Sequence, residues 1–382
     1  MKIFFFTNII APYRIGLYNK LNEYLKGDIK FYFDRKNETN RKWSINEDDL
    51  DFNYKIKKSL FYKKVSKATN DSKLHRFIYF PFYIFSVVLR ERPKIILSNE
   101  FGLRTLFTLI SGKLVRAKII VLSEVTELTE RNISTLKIKF RKFLSKHLDG
   151  GIAHGKQSFN YLLQLGFSKQ SLTISPNSID NSYFENLSNK ISKEEARREL
   201  RLPEQKFIFL YVGQFIQRKG LDLLVSSIKK NSKEIEFKNV IFVFVGGSKQ
   251  EMEKVADKNI SKCIKIFNFK DTKDLSYFYK AADCFIFPTR NDVWGLVVNE
   301  AVACNLSVAV SKYAGCADDL IENNISGIVF DPLDEKSFFD TIKFCIDNPS
   351  KLNQYKINAK KKLKIFNHDI AASRIVDFVS QI

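Results

Sequence analysis

Short apolar runs alternate with longer amphipathic stretches along almost the whole chain, and this alternation limits the fold more than any single motif does. Lys2–Phe6, Ile29–Phe33, Lys94–Leu97, Lys118–Leu122, Gly151–His154 and Leu172–Ser175 have the length of strands. Their apolar residues are largely continuous, as in parallel strands covered on both faces. Helical patterns lie between them, such as Pro12–Lys26, with proline where a first turn tolerates it, and Ile133–Lys146. A second series follows: Phe207–Val212, Val240–Val245, Cys263–Phe267, Cys284–Phe287, Ser307–Val310 and Gly327–Phe330. Leu221–Lys230, Leu275–Ala281 and Leu296–Cys304 are its helices.

Repeated strand–helix units of this kind predict an α/β protein with two doubly wound parallel sheets. Ligands in such sheets sit outside the carboxyl ends of the strands. The polar stretch 181–203 reads as a linker between a domain at 1–180 and one at 204–368. Residues 369–382 read as a short amphipathic helix packing back towards the first domain. Two similar domains around one cleft suit an enzyme that holds a two-part substrate.

At about 150 residues per domain, 382 residues fit two domains, and 45% hydrophobic residues can fill both cores. The longest apolar run, Phe77–Leu89, is 13 residues and is broken by Pro81, well short of the ~20 needed for a membrane span. Asn8, Pro12, Tyr13 and Arg14 stand where a signal peptide would need small residues, so none is expected. Five cysteines without CxxC spacing fit a reducing compartment and neither zinc nor disulfides. The expected location is cytoplasmic.

Charge is uneven. The net charge is +21, of which residues 1–180, with 32 basic and 16 acidic side chains, carry +16. The first domain is therefore expected to meet something anionic: nucleic acid, a phosphorylated substrate or a membrane surface. A solvated lysine-rich surface is the plainer alternative.

Three stretches of the second series carry candidate chemistry. In Tyr211-Val-Gly213-Gln-Phe-Ile-Gln-Arg218-Lys219-Gly220 a strand runs through a glycine turn into a helix. Arg218 and Lys219 stand where free amides and the helix dipole already favour an anion, or they form a solvated basic turn. Phe242-Val-Phe-Val-Gly246-Gly247 ends a strand in glycines that let backbone approach a ligand. From Phe287 a polar loop carries Asp292, Gly295-Leu296 open a helix, Glu300 lies one turn in, and Asn305 fits a left-handed stop. Two acids separated by seven residues, with N–H donors between them, suit a polyhydroxylated, phosphate-linked ligand. A helix-capping acid followed by an unrelated glutamate would give the same string.

Together these stretches resemble the retaining family 4 glycosyltransferases of the GT-B architecture. The acid–seven residues–acid pattern, the Arg-Lys-Gly turn and the strand Phe242–Val245 come in that family's order, as do Lys312–Ile321 and Gly327–Pro332. More weakly, so do Asn8–Arg14 and Pro176–Asp180. The resemblance implies two Rossmann-like domains facing a central cleft. It implies that Glu300 holds the ribose of a nucleotide-sugar, that Arg218 and Lys219 hold its diphosphate, and that Asp292 with the amides of Trp294, Gly295 and Leu296 meets the sugar. The base would lie near Gly246 and Phe269, and Gly213 belongs to the nucleotide-sugar-binding set. On the acceptor side Pro12, Tyr13 and Arg14 are expected, and Glu124, with Glu127 in reserve, is the candidate for orienting the acceptor hydroxyl unless it is a surface loop acid, so that Asp292, Glu124 and Lys219 form the catalytic set.

Three positions depart from that pattern: Asp292 where glutamate is usual, Gln214 where arginine is frequent, and Leu122-Ser123-Glu124 where relatives often carry histidine. They bear on sugar identity and the acceptor-side group. A nucleotide-sugar epimerase on the same scaffold is the alternative enzyme; a basic nucleic-acid binder is remote, since no stacking platform or known module accompanies the charge. No cofactor is expected beyond the co-substrate, with UDP-sugar the first choice and GDP- or dTDP-sugar next. No metal is expected either: Asp49-Leu50-Asp51 spells D-x-D only within an acidic run, and His75, His147, His154 and His368 lack ligand spacing.

The expected acceptor is a lipid-linked saccharide reached from an anionic membrane surface. From Phe52 to Arg76 eight basic residues (Lys55, Lys57, Lys58, Lys63, Lys64, Lys67, Lys73 and Arg76) face one acid, Asp71. The aromatic run from Phe77 follows, read either as a buried helix or as part of a membrane-resting surface. A second basic helix with Lys137, Lys139, Arg141, Lys142 and Lys146 would extend it.

Overall fold

The computed structural model describes residues 2–37, 45–67, 73–131, 133–231, 239–247 and 261–382, without the side chains of 63–67, 73–77 and 261. It divides into two units, Met1–Ser178 with His368–Ile382, and Ile179–Asn367.

In the first unit the strands are β1 (Ile3–Thr7), β2 (Ile29–Phe33), β3 (Tyr54–Ile56), β4 (Leu60–Lys67), β5 (Lys73–Phe80), β6 (Ile95–Asn99), β7 (Lys118–Ser123), β8 (Gly150–Ala153) and β9 (Leu172–Ile174). Seven form one parallel sheet in the order β3-β2-β1-β6-β7-β8-β9, while β4 and β5 pair as an antiparallel hairpin. Alternate residues of β1 serve opposite cores: Ile3 and Phe5 on one face, Phe4 and Phe6 on the other. Both cores are apolar and buried, which is why the strand is an unbroken apolar run. Helix His368–Gln381 buries Ala371, Ala372, Ile375, Phe378 and Val379 against the face holding Ile3 and Phe5. Its contacts include Tyr24 Oη to Asp369 at 2.9 Å and the Ser175 hydroxyl to the Ala371 carbonyl at 3.0 Å.

The second unit holds β10 (Phe207–Val212), β11 (Val240–Val245), β12 (Ile264–Phe267), β13 (Cys284–Phe287), β14 (Ser307–Ser311) and β15 (Ile328–Phe330), all parallel, in the order β12-β11-β10-β13-β14-β15. Both sheets therefore reverse their winding at one point, between β1 and β6 and between β10 and β13. In sheets of this kind ligands bind at that point, outside the carboxyl ends of the strands. All five cysteines are free and buried.

Two expectations need correction. Residues 181–203 are no linker: helices Asn181–Asn189 and Lys193–Glu199 belong to the second unit, with Phe184, Ala196 and Leu202 in its core. Phe77–Leu89 is not one helix, because Pro81 ends strand β5 and helix Tyr83–Glu91 begins anew. That helix buries Ile84, Val87 and Val88 and leaves Phe82 and Leu89 exposed, so the run is part core and part surface. Hairpin β4–β5 has no counterpart among the strands expected from the sequence. Lys63, Lys64, Lys67, Lys73 and Arg76 lie on it, but their side chains, like Asp71, fall outside the described residues.

Candidate active site

Two loops of the second unit meet at its point of reversal. The first leaves β10 through Gly213 and a 3₁₀ turn, Gln217–Lys219, that ends at Gly220. Gly220 has φ 73°, and a Cβ there would lie 1.9 Å from the Pro288 carbonyl oxygen, so only glycine lets this turn close on the end of β13. Backbone bonds finish the seam: Arg290 N–H to the Arg218 carbonyl at 2.9 Å, and the Thr289 hydroxyl to the same carbonyl at 3.1 Å. Lys219 and Arg218 are thereby brought beside the loop that follows β13.

Within that loop Asp292 is held at its backbone, its N–H on the Tyr313 carbonyl at 3.1 Å and its own carbonyl accepting Gly315 N–H at 3.0 Å. Its carboxylate is hydrogen-bonded to Lys219 Nζ, and Arg218 stands at 3.7 Å from the same oxygen. Asp292 is buried. Burial pulls the Lys219 ammonium below its ordinary range, while Asp292 pushes it back up. The pair sits 5.3 Å above the Phe287 ring, measured from Nζ.

Gly295, at φ 104°, turns the chain into helix Leu296–Ala303, whose N-terminus has no side-chain cap. Uncapped amides at a helix start attract anionic oxygen. The Trp294 indole is buried and donates to Asn299 at 2.9 Å, which fixes the turn from below. One turn into the helix, Glu300 accepts a hydrogen bond from Tyr279 Oη at 2.7 Å. Burial raises its carboxyl to about 7, against the pull of that bond. Asn305 ends the element at φ 60°, the left-handed stop expected of it. On the other side of β10, Gly246 ends β11 and donates its N–H to the Phe267 carbonyl at 3.1 Å, and Phe269, just beyond β12, is half exposed.

In the first unit Pro12 opens a helix with Tyr13 exposed and Arg14 turned inward to an ion pair with Glu124. Buried His154 bonds the Ser175 carbonyl at 3.0 Å and is kept neutral by burial, with Arg14 adding to the effect. Glu127 is not part of this group; it accepts from Gln164 at 3.1 Å on the exposed surface. Asp49 and Asp51 are tied by backbone to Asn19. Among the described residues no group of acids, histidines and cysteines has metal-site geometry.

Sequence reasoning missed Tyr279 and Asn299. Each sits on a helix face that reads as core, and only the carboxyl or indole opposite reveals its polar task. Glu100 was missed as well, although a polar Asn-Glu pair at the end of an apolar strand marks such positions.

Residues 192–362 match the family model described as glycosyl transferases group 1. Over 194 residues the chain is 25% identical to a D-inositol 3-phosphate glycosyltransferase of Catenulispora acidiphila, covering 48% of this chain and 46% of that protein. It is 23% identical over 164 residues to the lipopolysaccharide glucosyltransferase WaaG of Escherichia coli, 43% of either chain. It thus spans less than half the length of these curated relatives. Among solved structures, Anabaena HepE in complex with UDP and glucose superposes with a TM-score of 0.73 over the whole of both chains at 15% identity. A glycosyltransferase from Rickettsia africae gives 0.74 at 15%, covering 100% of this chain and 98% of that one. Residues 192–362 thus match the glycosyl transferases group 1 family, and the chain as a whole has the GT-B fold.

Proposed function

We propose that the protein transfers a sugar from a nucleotide-sugar, UDP-linked by first choice, to a saccharide acceptor with retention of anomeric configuration. The observation that carries this reading is the Lys219–Asp292 pair at the reversal of the second sheet, with Arg218 and the uncapped start of helix Leu296–Ala303 beside it. Two fixed cations and a row of amides complement a diphosphate whose charge grows as it leaves. Asp292 orients the sugar and holds Lys219 in place. Glu300 accepts from ribose hydroxyls. The bond from the anomeric carbon to diphosphate oxygen breaks, the bond to the acceptor oxygen forms on the same face, and the departing diphosphate takes the acceptor proton. No enzyme nucleophile is required. Arg218 and Lys219 supply the countercharge, so no metal step is included, and Glu124 orients the acceptor hydroxyl.

The acceptor is read as lipid-linked and met at the cytoplasmic face of a membrane, in assembly of a surface polysaccharide. Support comes from the first unit: exposed Leu60, Phe61, Tyr62, Ile78 and Phe82 at the hairpin and its exit, together with Lys58 and Arg90. Helix Thr135–His147 adds exposed Leu136 and Phe143 among Lys137, Lys139, Lys142 and Lys146. Among the described residues no helix is long and apolar enough to cross a membrane.

A thermal-shift screen of UDP-, GDP- and dTDP-sugars tests the donor assignment. The matching donor at 100 times its Kd stabilises by about 2.7 kcal/mol. Product NMR then reads the anomeric configuration; inversion, or altered sugar released without acceptor as an epimerase would give, overturns the reading.

A further inference from the structure

The first sheet has its own point of reversal, between β1 and β6, and the segments leaving β6 and β7 meet beside it. Glu100 is the first residue after β6. Its φ of 64° is left-handed, an uncommon state for a glutamate. The surroundings impose it: Glu100 N–H donates to the Leu122 carbonyl at 2.8 Å, and the Thr105 hydroxyl donates to the Glu100 carbonyl. Turned this way, the side chain reaches the loop after β7 with both oxygens. One accepts the Glu124 backbone N–H at 2.8 Å and the other accepts the Ser123 hydroxyl at 3.1 Å.

The same loop is pinned from its far side, where the Ser123 carbonyl accepts the His154 N–H at 3.3 Å and the Ser158 hydroxyl at 2.8 Å. The Glu124 carboxylate is ion-paired with Arg14 of helix Pro12–Tyr24. A strained backbone and two carboxylate bonds are therefore spent on fixing a single peptide, the one that carries Glu124.

We propose that Glu100 is a positioning residue for the acceptor-side group: it clamps residues 123–124 and so sets where the Glu124 carboxylate stands. This rests on the reading of Glu124 as the group that orients the acceptor hydroxyl. The clamp also titrates. Burial pushes the Glu100 carboxyl up to about 7, Glu130 adds to the rise, and Arg141, Arg14 and the Ser123 hydroxyl pull against it. Arg14 comes from helix Pro12–Tyr24, Glu130 from the 3₁₀ turn Leu128–Glu130 and Arg141 from helix Thr135–His147, while helix Leu103–Leu114, whose Thr105 bonds the Glu100 carbonyl, carries Arg104 paired with Asp34. Nearby Glu124 is paired and His154 is neutral. Above that pH the clamp is a carboxylate with two charge-assisted bonds; below it, one oxygen carries a proton and the grip loosens.

The backbone amide of Glu124, followed by ¹H–¹⁵N NMR in the ligand-free protein from about pH 5.5 to 8.5, reads this directly. In the wild type it shifts with a midpoint near 7, and in Glu100→Gln, which keeps the shape and one acceptor oxygen, it is flat. A wild-type amide that ignores pH, or a Gln variant that titrates as the wild type does, overturns the clamp. Hydrolysis of UDP-glucose, with water standing in for the acceptor, gives the functional arm. Glu100→Gln is expected to lower kcat about tenfold and lose the rising limb near pH 7, with the KM for UDP-glucose within about twofold. Slow hydrolysis in Glu124→Gln but wild-type rate and pH profile in Glu100→Gln removes the role of Glu100 alone. If Glu124→Gln is itself unaffected, the acceptor-side reading falls, and the clamp with it.

Discussion

Lys219 and Asp292 are worth more as a pair than singly. Removing Lys219 leaves a buried carboxylate with only Arg218, at 3.7 Å, for compensation. Breaking a buried pair costs about 3–5 kcal/mol, so Lys219→Ala should lower thermal stability as well as turnover. The double variant Lys219→Met with Asp292→Asn should regain most of that stability in thermal melts but none of the turnover. Recovery of turnover would make the pair a structural strut. Glu300 has the opposite sign. Its carboxyl is raised to about 7, so the native state holds a proton that the unfolded chain releases near the ordinary glutamate pKa. Stability is therefore lost as pH climbs between those two values. Glu300→Gln should melt higher than wild type at pH 8 and no higher at pH 5, and a gap that is the same at both pH values would contradict the shift. Arg218, Lys219, Asp292 and Glu300 were expected at the site from the resemblance, because the residues alone fit equally a solvated basic turn and a helix-capping acid followed by an unrelated glutamate. Tyr279 was not, since a tyrosine on an apolar helix face looks the same whether its hydroxyl meets water or a carboxylate.

Elements were legible in proportion to how much apolar surface each buries. β10, β11 and β13 lie where the sequence places them, because residues facing two buried apolar cores leave an unbroken apolar run. Helix Lys193–Glu199 reads as linker in the sequence, although Ser192 and Glu195 form a full capping box at its start. It buries little of its own: Ala196, and Arg197, which bonds Asp283 at 2.8 Å. Such a helix owes its existence to tertiary contacts, which periodicity cannot register. Hairpin β4–β5 escaped notice for a related reason, its strands being too lysine-rich to read as half-buried. Its exposed Leu60, Phe61 and Tyr62 lead into Lys63 and Lys64 in sequence, so the hairpin should bind anionic vesicles, each basic residue near the surface adding about 1 kcal/mol. Flotation with phosphatidylglycerol vesicles should succeed at low salt, fail at high salt, and weaken when Lys57, Lys58, Lys63 and Lys64 become glutamine. Binding indifferent to salt and to those four changes would remove the hairpin from the interface.

Across the whole molecule the two units repeat one plan: a parallel sheet that reverses its winding, with polar side chains gathered at the point of reversal. In the second unit those side chains are Arg218, Lys219 and Asp292; in the first they are Arg14, Glu100 and Glu124. The chain leaves the first unit after Ser178 and returns to it at His368, so the last helix completes a core begun by the first strand. Under the proposed function, donor chemistry falls to the second unit and acceptor chemistry to the first. The most direct measurement is calorimetric titration of UDP, GDP and dTDP into the wild type, Arg218→Ala and Lys219→Ala. One nucleoside diphosphate should bind the wild type, and each substitution should weaken it about ten- to a hundredfold, as loss of a hydrogen bond to a charged group does. Wild-type affinity in both variants, or no binding of any of the three, would contradict the account.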